Sequence, residues 1–258
     1  MQLTLTQTCM VNIKRKRDER YVSGCLFLPT GDILIGDYHD ENSNKVMMHN
    51  KDGKHIRNIS VSYNPFDLTL FDSERVAISY GVIGTVDILN LTTNRIEKTF
   101  KHKSCCCGIS YEDGRLYTVV EQHGIIATDL LGKHLDTIKE GVVGATYITT
   151  EKDRIYVCSY ISNTVKCYSK TGELLWIFSD DLLLAPSGLV IDSNRNILVF
   201  GEDSNNLTVI SRDCKTRTIL LNIENGLQKS KAIFYNKDNN VLLVCNLENG
   251  KAYLYMVT

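Results

Sequence analysis

A short unit made of a polar turn and an apolar strand recurs six times along the chain, and this repetition constrains the fold more than any other feature. The units are TGDILIGD, SERVAISY, DGRLYTVV, KDRIYVCS, NRNILVFG and DNNVLLVC. Their leading apolar residues follow one another at intervals of 39 to 44 residues: Ile33, Val76, Leu116, Ile155, Ile197 and Val241. We therefore expect one supersecondary unit in each repeat.

Each repeat contains further strands on both sides of this unit. An apolar position precedes it by seven or eight residues, and Gly, Asp, Asn and Ser fill the gap, as in a hairpin turn. A third segment with alternating apolar and polar residues follows in every repeat, and a fourth follows in the first five. Four antiparallel strands in roughly 40 residues form one propeller blade. The sequence therefore predicts an all-β, six-bladed β-propeller with four-stranded antiparallel blades.

The two ends of the chain complete each other. The sixth repeat has three strands and stops at Thr258, whereas the N-terminal segment LTLTQTCMVNI alternates in the same way but precedes the first repeat. We expect this N-terminal strand to complete the last blade and to leave no open edge in the ring. The chain, 1–258, is predicted to be one domain, with blades at about 22–61, 62–102, 103–142, 143–183, 184–228, and 229–258 joined by 1–13.

Charge, hydropathy and cysteine content limit the classes of partner and the cellular compartment that we expect. The chain has 29 basic and 30 acidic residues, so its overall charge recruits neither nucleic acid nor an anionic membrane. No apolar run approaches the roughly 20 residues of a membrane-spanning helix, and the N-terminus does not resemble a secretory signal. Nine cysteines without a CxxC pair fit reduced thiols better than disulfides or zinc ligands. We expect a cytoplasmic protein without a membrane partner.

Three segments carry a resemblance to a known family: GDILIGDYHDENSNKVMMHNKDGKHIRNI, NPFDLTLFDSERVAISY and APSGLVIDSNRNILVFGEDSNNLTVIS. They resemble NHL repeats, and in particular the C-terminal propellers of tripartite-motif (TRIM) proteins of molluscs and other invertebrates. The resemblance covers essentially the whole chain. It implies the substrate- or partner-recognition module of a TRIM-type ubiquitin ligase, or a stand-alone relative. Ubiquitin transfer in that family belongs to a RING domain, and this sequence has no RING ligand spacing.

A calcium-dependent, lactonase-like hydrolase is the alternative from a different class, because such six-bladed propellers hold calcium in the central channel. Calcium needs about six to eight oxygen ligands, many of them anionic. The residues expected around the channel precede each innermost-strand anchor: Cys25, Asp67, Gly108, Thr146, Gly188 and Ala232. Asp67 is the one acid among them. We therefore predict a binding protein without catalytic residues, metal, cofactor or small-molecule substrate.

Other candidate chemistry is sparse. The six histidines show neither HxxxH nor HxH spacing, which disfavours a zinc site. Cys105, Cys106 and Cys107 follow His102 and two lysines, a setting in which a thiol can become reactive. The strand pattern favours a structural role instead, with at least two of the three thiols in the core.

The two rims of the predicted propeller differ. The turns between first and second strands are repetitive, whereas the loops between second and third strands vary from blade to blade. Variable loops on a constant frame give a scaffold its specificity. We predict that a partner binds this variable rim, which collects Asp37, Tyr38, His39, Tyr80, Glu121, His123, Tyr160, Asn163, Glu202, Asp203, Asn206, Asn246 and Glu248.

Basic residues in the run KRKRDER and in other inter-blade connections form a second set of candidates, for phosphate binding: Lys14, Arg15, Lys16, Arg17, Arg20, Lys101, Lys103, Lys229 and Lys231. They make RNA the alternative partner, and some members of the family that the chain resembles bind an RNA stem-loop. The acidic residues of the variable rim favour a protein partner with some basic surface. Replacing Tyr80 and Tyr160 by Ala is expected to weaken its binding without lowering stability.

Overall fold

The computed structural model describes residues 3–13, 22–38, 44–246 and 250–258. Within these ranges the chain forms 24 strands in six four-stranded sheets, and each strand is antiparallel to its neighbours. One 3₁₀ turn, Ile223–Asn225, lies between the last two blades. The described part of the chain contains no helix able to cross a membrane. The predicted six-bladed β-propeller is confirmed.

The first three blades follow the order of the sequence from the innermost strand outwards. Blade 1 contains β2 (Val22–Phe27), β3 (Ile33–Asp37), β4 (Lys45–His49) and β5 (His55–Ser60). Blade 2 contains β6 (Asp67–Leu70), β7 (Arg75–Ser79), β8 (Thr85–Asn90) and β9 (Arg95–Lys101). Blade 3 contains β10 (Cys106–Glu112), β11 (Arg115–Val120), β12 (Gly124–Thr128) and β13 (His134–Lys139).

The next two blades repeat this arrangement, and the last one differs in its outer strand. Blade 4 contains β14 (Ala145–Glu151), β15 (Arg154–Ser159), β16 (Thr164–Ser169) and β17 (Leu174–Ser179). Blade 5 contains β18 (Pro186–Ile191), β19 (Ile197–Gly201), β20 (Asn206–Ile210) and β21 (Arg217–Leu221). Blade 6 contains β22 (Ser230–Asn236), β23 (Val241–Asn246), β24 (Lys251–Val257) and, as its outer strand, β1 (Leu5–Asn12).

The N-terminal strand closes the ring as predicted. β1 pairs antiparallel with β24 in a register that runs from Leu5 opposite Val257 to Asn12 opposite Lys251. Each innermost strand contacts the innermost strand of the next blade, and β22 contacts β2. The first and last blades are thus joined like any other neighbouring pair.

The core consists of apolar layers between neighbouring blades. Six clusters of buried side chains occur in the described residues, one at each interface between blades. This division follows from the alternation of strands, because successive side chains point to opposite faces of a blade. Val11 and Ile13 belong to the cluster between blades 6 and 1, together with Phe27 of blade 1 and Leu254 of blade 6. The closing strand is therefore part of the core.

Candidate functional site

The variable rim is formed by two kinds of segment that hydrogen bonds hold together. The loops between second and third strands, and the connections between blades, emerge on this side. Ser159, before the loop of blade 4, donates a 3.3 Å hydrogen bond to the carbonyl of Val143 in the preceding connection. Asn163 in the same loop accepts a 2.8 Å bond from the backbone N–H of Ala185 in the next connection. The loops are thus fixed by the frame, which gives this rim a defined shape.

Few of the residues predicted on the variable rim are exposed there. Two of them, His39 and Glu248, lie outside the described residues. Tyr38, Asn163 and Glu202 are half-buried. Four are exposed: Glu121, His123, Tyr160 and Asp203. The remaining four are buried, contrary to the prediction: Asp37, Tyr80, Asn206 and Asn246.

The buried rim residues hold the frame. Asn246 donates to the carbonyl of Gly226 at 2.8 Å and accepts from the hydroxyl of Ser230 at 2.5 Å, which fixes the connection into blade 6. Asp37 forms a 3.5 Å ion pair with Lys45 across the loop of blade 1. Polar side chains inside a protein need such partners, because an unpaired polar group is costly to bury. This corrects the expectation that all of these side chains are available to a partner.

The candidate phosphate-binding residues do not form one sector within the described chain. Lys14, Arg15, Lys16, Arg17 and Arg20 lie outside the described residues. Lys101 and Lys103 line a cleft between blades 2 and 3. Lys231 lies over the Phe66 ring, with its Nζ 6.0 Å from the ring centre, and Lys229 is in the connection into blade 6. The described lysines thus belong to separate parts of the ring.

Apart from Tyr160, the exposed apolar side chains of the variable rim were the feature that the sequence interpretation missed. Of the large apolar residues exposed in the described chain, seven lie in strands and one, Leu131, lies in a turn on the opposite rim. The other nine lie on the variable rim: Tyr63, Val82, Ile83, Val143, Tyr160, Ile161, Leu182, Leu184 and Ile223. Apolar residues inside otherwise polar loops, as in SYGVIG and SYISN, were the available sequence signal.

Five of these side chains form a group around blade 4 that we name the rim patch: Val143, Tyr160, Ile161, Leu182 and Leu184. Val143 is 74% exposed and Ile161 is 62% exposed. The three segments that carry the patch touch one another. A Cβ atom added at Gly144 would lie 2.9 Å from the Cβ of Ile161, and Asn163 binds the backbone at Ala185. The five exposed apolar side chains of the patch thus lie on three neighbouring segments whose backbone is fixed.

Two contacts of Tyr147 cross the axial channel near the variable rim. Tyr147 of blade 4 donates a 2.9 Å hydrogen bond to the carbonyl of Ser23 in blade 1. Its ring stacks on Phe66, with centres 5.4 Å apart. The cavity below, of about 390 Å³, is lined by Pro29, Lys237 and Asp238 among others. Lys237 and Asp238 belong to a turn between first and second strands, so the channel opens on the rim opposite the rim patch.

Asp67 is an acid on the channel wall, as its position in the repeat predicted. Its carboxylate accepts hydrogen bonds from the backbone N–H groups of Leu68 at 2.9 Å and Ile109 at 3.0 Å. Burial raises the pKa of this carboxyl to about 7, and the two hydrogen bonds oppose that rise.

No group of three or more His, Cys, Asp or Glu side chains in residues 3–13, 22–38, 44–246 and 250–258 is arranged to hold a metal ion.

The pKa of Asp67 predicts a pH dependence of folding. Between about pH 4 and pH 7 the folded chain keeps a proton that the unfolded chain has lost. The contribution of Asp67 to the free energy of unfolding therefore falls as the pH rises through this interval. Asp67→Asn removes the titration, and urea unfolding at several pH values should show a flatter profile for the variant. Parallel profiles for the two proteins would contradict this pKa.

The three consecutive cysteines have the surroundings of structural thiols. Cys106 is fully buried, and Cys107 packs against the core between blades 3 and 4. Burial raises the pKa of Cys106 to about 11 and that of Cys107 to about 12. A hydrogen bond with Glu121, followed by burial, raises the pKa of Cys105. All three thiols stay protonated at neutral pH, and a protonated thiol is a poor nucleophile.

Comparison with known proteins identifies the fold. No protein-family model matches the sequence, and no curated protein matches it. Among solved structures, the chain is similar to a structural genomics protein of unknown function from Bacteroides thetaiotaomicron VPI-5482, with a TM-score of 0.78 and 11% sequence identity. The similarity covers 100% of this chain and 76% of that chain. At this level of identity the likeness shows the propeller fold alone.

Proposed function

We propose that this propeller is a non-catalytic binding module that recognises a partner protein through the rim patch. The distribution of exposed apolar side chains carries the proposal, because nine of them lie on the variable rim and one lies on the opposite rim of the described chain. Contiguous apolar surface with a polar border is typical of interaction sites. A backbone fixed by hydrogen bonds also lowers the entropy lost on binding.

The charge around the rim patch indicates the chemistry of the partner. Asp181 lies beside Leu182, and Asp203 follows the half-buried Glu202 in the neighbouring loop of blade 5; both aspartates are exposed. Acidic groups around an apolar centre favour a partner with an apolar anchor and a basic border, and they repel phosphates. This arrangement supports a protein partner over a nucleic acid.

The resemblance to NHL repeats supports a finer proposal. In that family the propeller recognises the substrate of a TRIM-type ubiquitin ligase, and we assign this chain the same task, either in such a ligase or as a stand-alone relative. The nine cysteines are all free. Free thiols fit the reducing cytoplasm, where such a ligase works.

A pair of matched variants tests the rim patch. Ile161→Asp places a charge in the patch, and Leu131→Asp places the same charge on the opposite rim, where Leu131 is 72% exposed. We expect capture of partner proteins from the source cells to fall at least about ten-fold with the first variant, as for a hot-spot residue, and to be unchanged with the second. Both variants should melt like the parent protein, because exposed sites contribute little to stability.

Equal capture by both variants would contradict the proposed surface. Salt-dependent retention of RNA, lost when Lys101 and Lys103 are neutralised and unaccompanied by a protein partner, would replace the proposal with RNA binding. A calcium-dependent rise in melting temperature that Asp67→Ala abolishes would instead support the hydrolase.

A further inference from the structure

The cleft between blades 2 and 3 gathers three histidines, none of which belongs to the rim patch. Its volume is about 760 Å³. His102 comes from the connection after β9, His123 from the turn between β11 and β12, and His134 from the start of β13. Lys101 and Lys103 flank His102 in sequence and also line the cleft. The result is a concave surface with five histidine and lysine side chains.

Two polar atoms in this cleft are buried and unpaired. Nε2 of His102 and Oγ1 of Thr128 are shielded from solvent, and neither has a hydrogen-bond partner in the described chain. Thr128 as a whole is only 2% exposed. Native proteins satisfy nearly all buried polar atoms with protein groups, water or ligands. Both residues line the cleft, so a polar occupant would pair with these two atoms once the His102 and Thr128 side chains rotate toward it.

The electrostatics of the cleft favour an anion. Burial, and then the nearby His123 and His134, lower the pKa of His102 to about 4. The His102 imidazole is therefore neutral at pH 7 as long as no anion is bound. Lys101 and Lys103 add positive charge from the same segment, and Glu140, from the segment after β13, is the acidic side chain in the lining. An anion would offset the repulsion among the basic groups and accept hydrogen bonds from a protonated His102.

The rest of the cleft offers apolar contact. The Phe100 ring packs edge-on against the His102 ring, with centres 5.9 Å apart. Ile126 is half-buried in the lining. On blade 3, Nε2 of His134 bonds Oγ1 of Thr137 at 3.0 Å, which orients this imidazole. Small-molecule sites combine such apolar walls with a few converging polar groups.

We propose that this cleft binds a small molecule bearing a phosphate group. The imidazoles and the two ammonium groups hold the phosphate, and Phe100 with Ile126 contacts the remainder of the ligand. The cleft would make the propeller sensitive to a phosphorylated metabolite, independently of partner binding at the rim patch. The two sites use different residues, although both reach the connection between blades 3 and 4. Each has its own variants and readout, so the failure of one proposal leaves the other intact.

Calorimetric titration of the full chain with sulfate and pyrophosphate tests the cleft. Sulfate keeps its double charge between about pH 6 and pH 8, so any pH dependence of its binding comes from the protein. We expect one sulfate per chain, with an affinity that falls at least about ten-fold over this interval. Sulfate raises the pKa of His102, so the complex takes up a proton that the free protein lacks. The gain in sulfate affinity from this proton is lost as the pH rises through the pKa of His102 in the complex. Pyrophosphate should compete with sulfate for the same site.

Two cleft variants and one control test whether these residues bind the anion. His102→Gln should abolish most of the pH dependence, because it removes the group that takes up the proton. Lys103→Ala alters an exposed side chain, so it should weaken both anions several-fold without changing the fold. His55→Gln alters an exposed histidine of blade 1, outside the cleft, and serves as the matched control.

Three results would overturn the proposal. The first is failure of a folded protein to bind either anion, which would assign the unpaired atoms to water. The second is anion binding that both His102→Gln and Lys103→Ala leave unchanged. The third is a short single-stranded RNA that displaces sulfate at lower concentration than pyrophosphate does, which would assign the cleft to nucleic acid.

Discussion

Deletion of residues 1–13 is expected to leave the protein insoluble, or to lower its melting temperature far below that of the full chain. The deletion removes β1, which pairs with β24 along almost its whole length. The exposed edge of β24 would then be free to pair with another chain, which is a route to aggregation. Removal of Val11 and Ile13 also opens the apolar cluster between blades 6 and 1. Thermal unfolding and sedimentation measure both consequences.

Substitutions at two adjacent residues of β1 test whether its buried side chains, and not only its presence, hold the ring closed. Val11 is fully buried and packs closely against Gly53 in the turn between β4 and β5. A Cβ atom added at Gly53 would lie only 2.8 Å from Cγ2 of Val11. Val11→Asp buries an unpaired carboxylate and should cost more than about 3 kcal/mol. Met10→Ser, at a side chain 42% exposed, should change the free energy of unfolding by less than about 0.5 kcal/mol. A truncated protein that stays monomeric and melts like the full chain would refute this account of closure.

The fold was predictable because its determinants are local. The alternation of apolar and polar residues predicts strands, and it recurs with the spacing of the blades. Turn chemistry is also local: Asp113 and Gly114 both adopt positive φ, at 49° and 77°, as a tight two-residue hairpin turn requires. The role of β1 followed from counting strands in the sixth repeat. None of these inferences needed the direction of an individual side chain.

The candidate site was harder to predict because it depends on side-chain direction and on distant partners. Asn246 ends β23, next to an exposed loop, yet it binds Gly226 in the connection into blade 6 and Ser230 at the start of β22. Bulges near the start of most innermost strands, such as that between Val22 and Cys25, shift the strand register at the variable rim. Tyr147 reaches from blade 4 to Ser23, a contact across 124 residues of sequence. Such contacts have no local sequence pattern.

Tyr80 shows why rim position alone does not identify a binding residue. The sequence interpretation placed Tyr80 beside Tyr160 as an interface side chain. In the structure, Tyr80 is 1% exposed and its hydroxyl donates a 2.7 Å hydrogen bond to the Asp87 carboxylate. Thr99 donates to the other carboxylate oxygen at 2.6 Å. Burial, followed by the nearby charge of Asp87, raises the pKa of Tyr80, so the phenol remains a hydrogen-bond donor. Tyr80 is therefore a core residue that stabilises blade 2.

Replacing Tyr80 by Ala should consequently destabilise the fold by about 3 to 5 kcal/mol, the usual cost of deleting a buried aromatic ring. Tyr80→Phe keeps the ring but removes a donor from buried Asp87, and should cost about 1 to 3 kcal/mol. Tyr160→Ala is the matched control: Tyr160 is 53% exposed, so the variant should unfold within about 0.5 kcal/mol of the parent while its partner binding falls. Urea unfolding of the three variants measures these differences. If Tyr80→Ala unfolds at the same urea concentration as the parent and loses only binding, Tyr80 belongs to the interface after all.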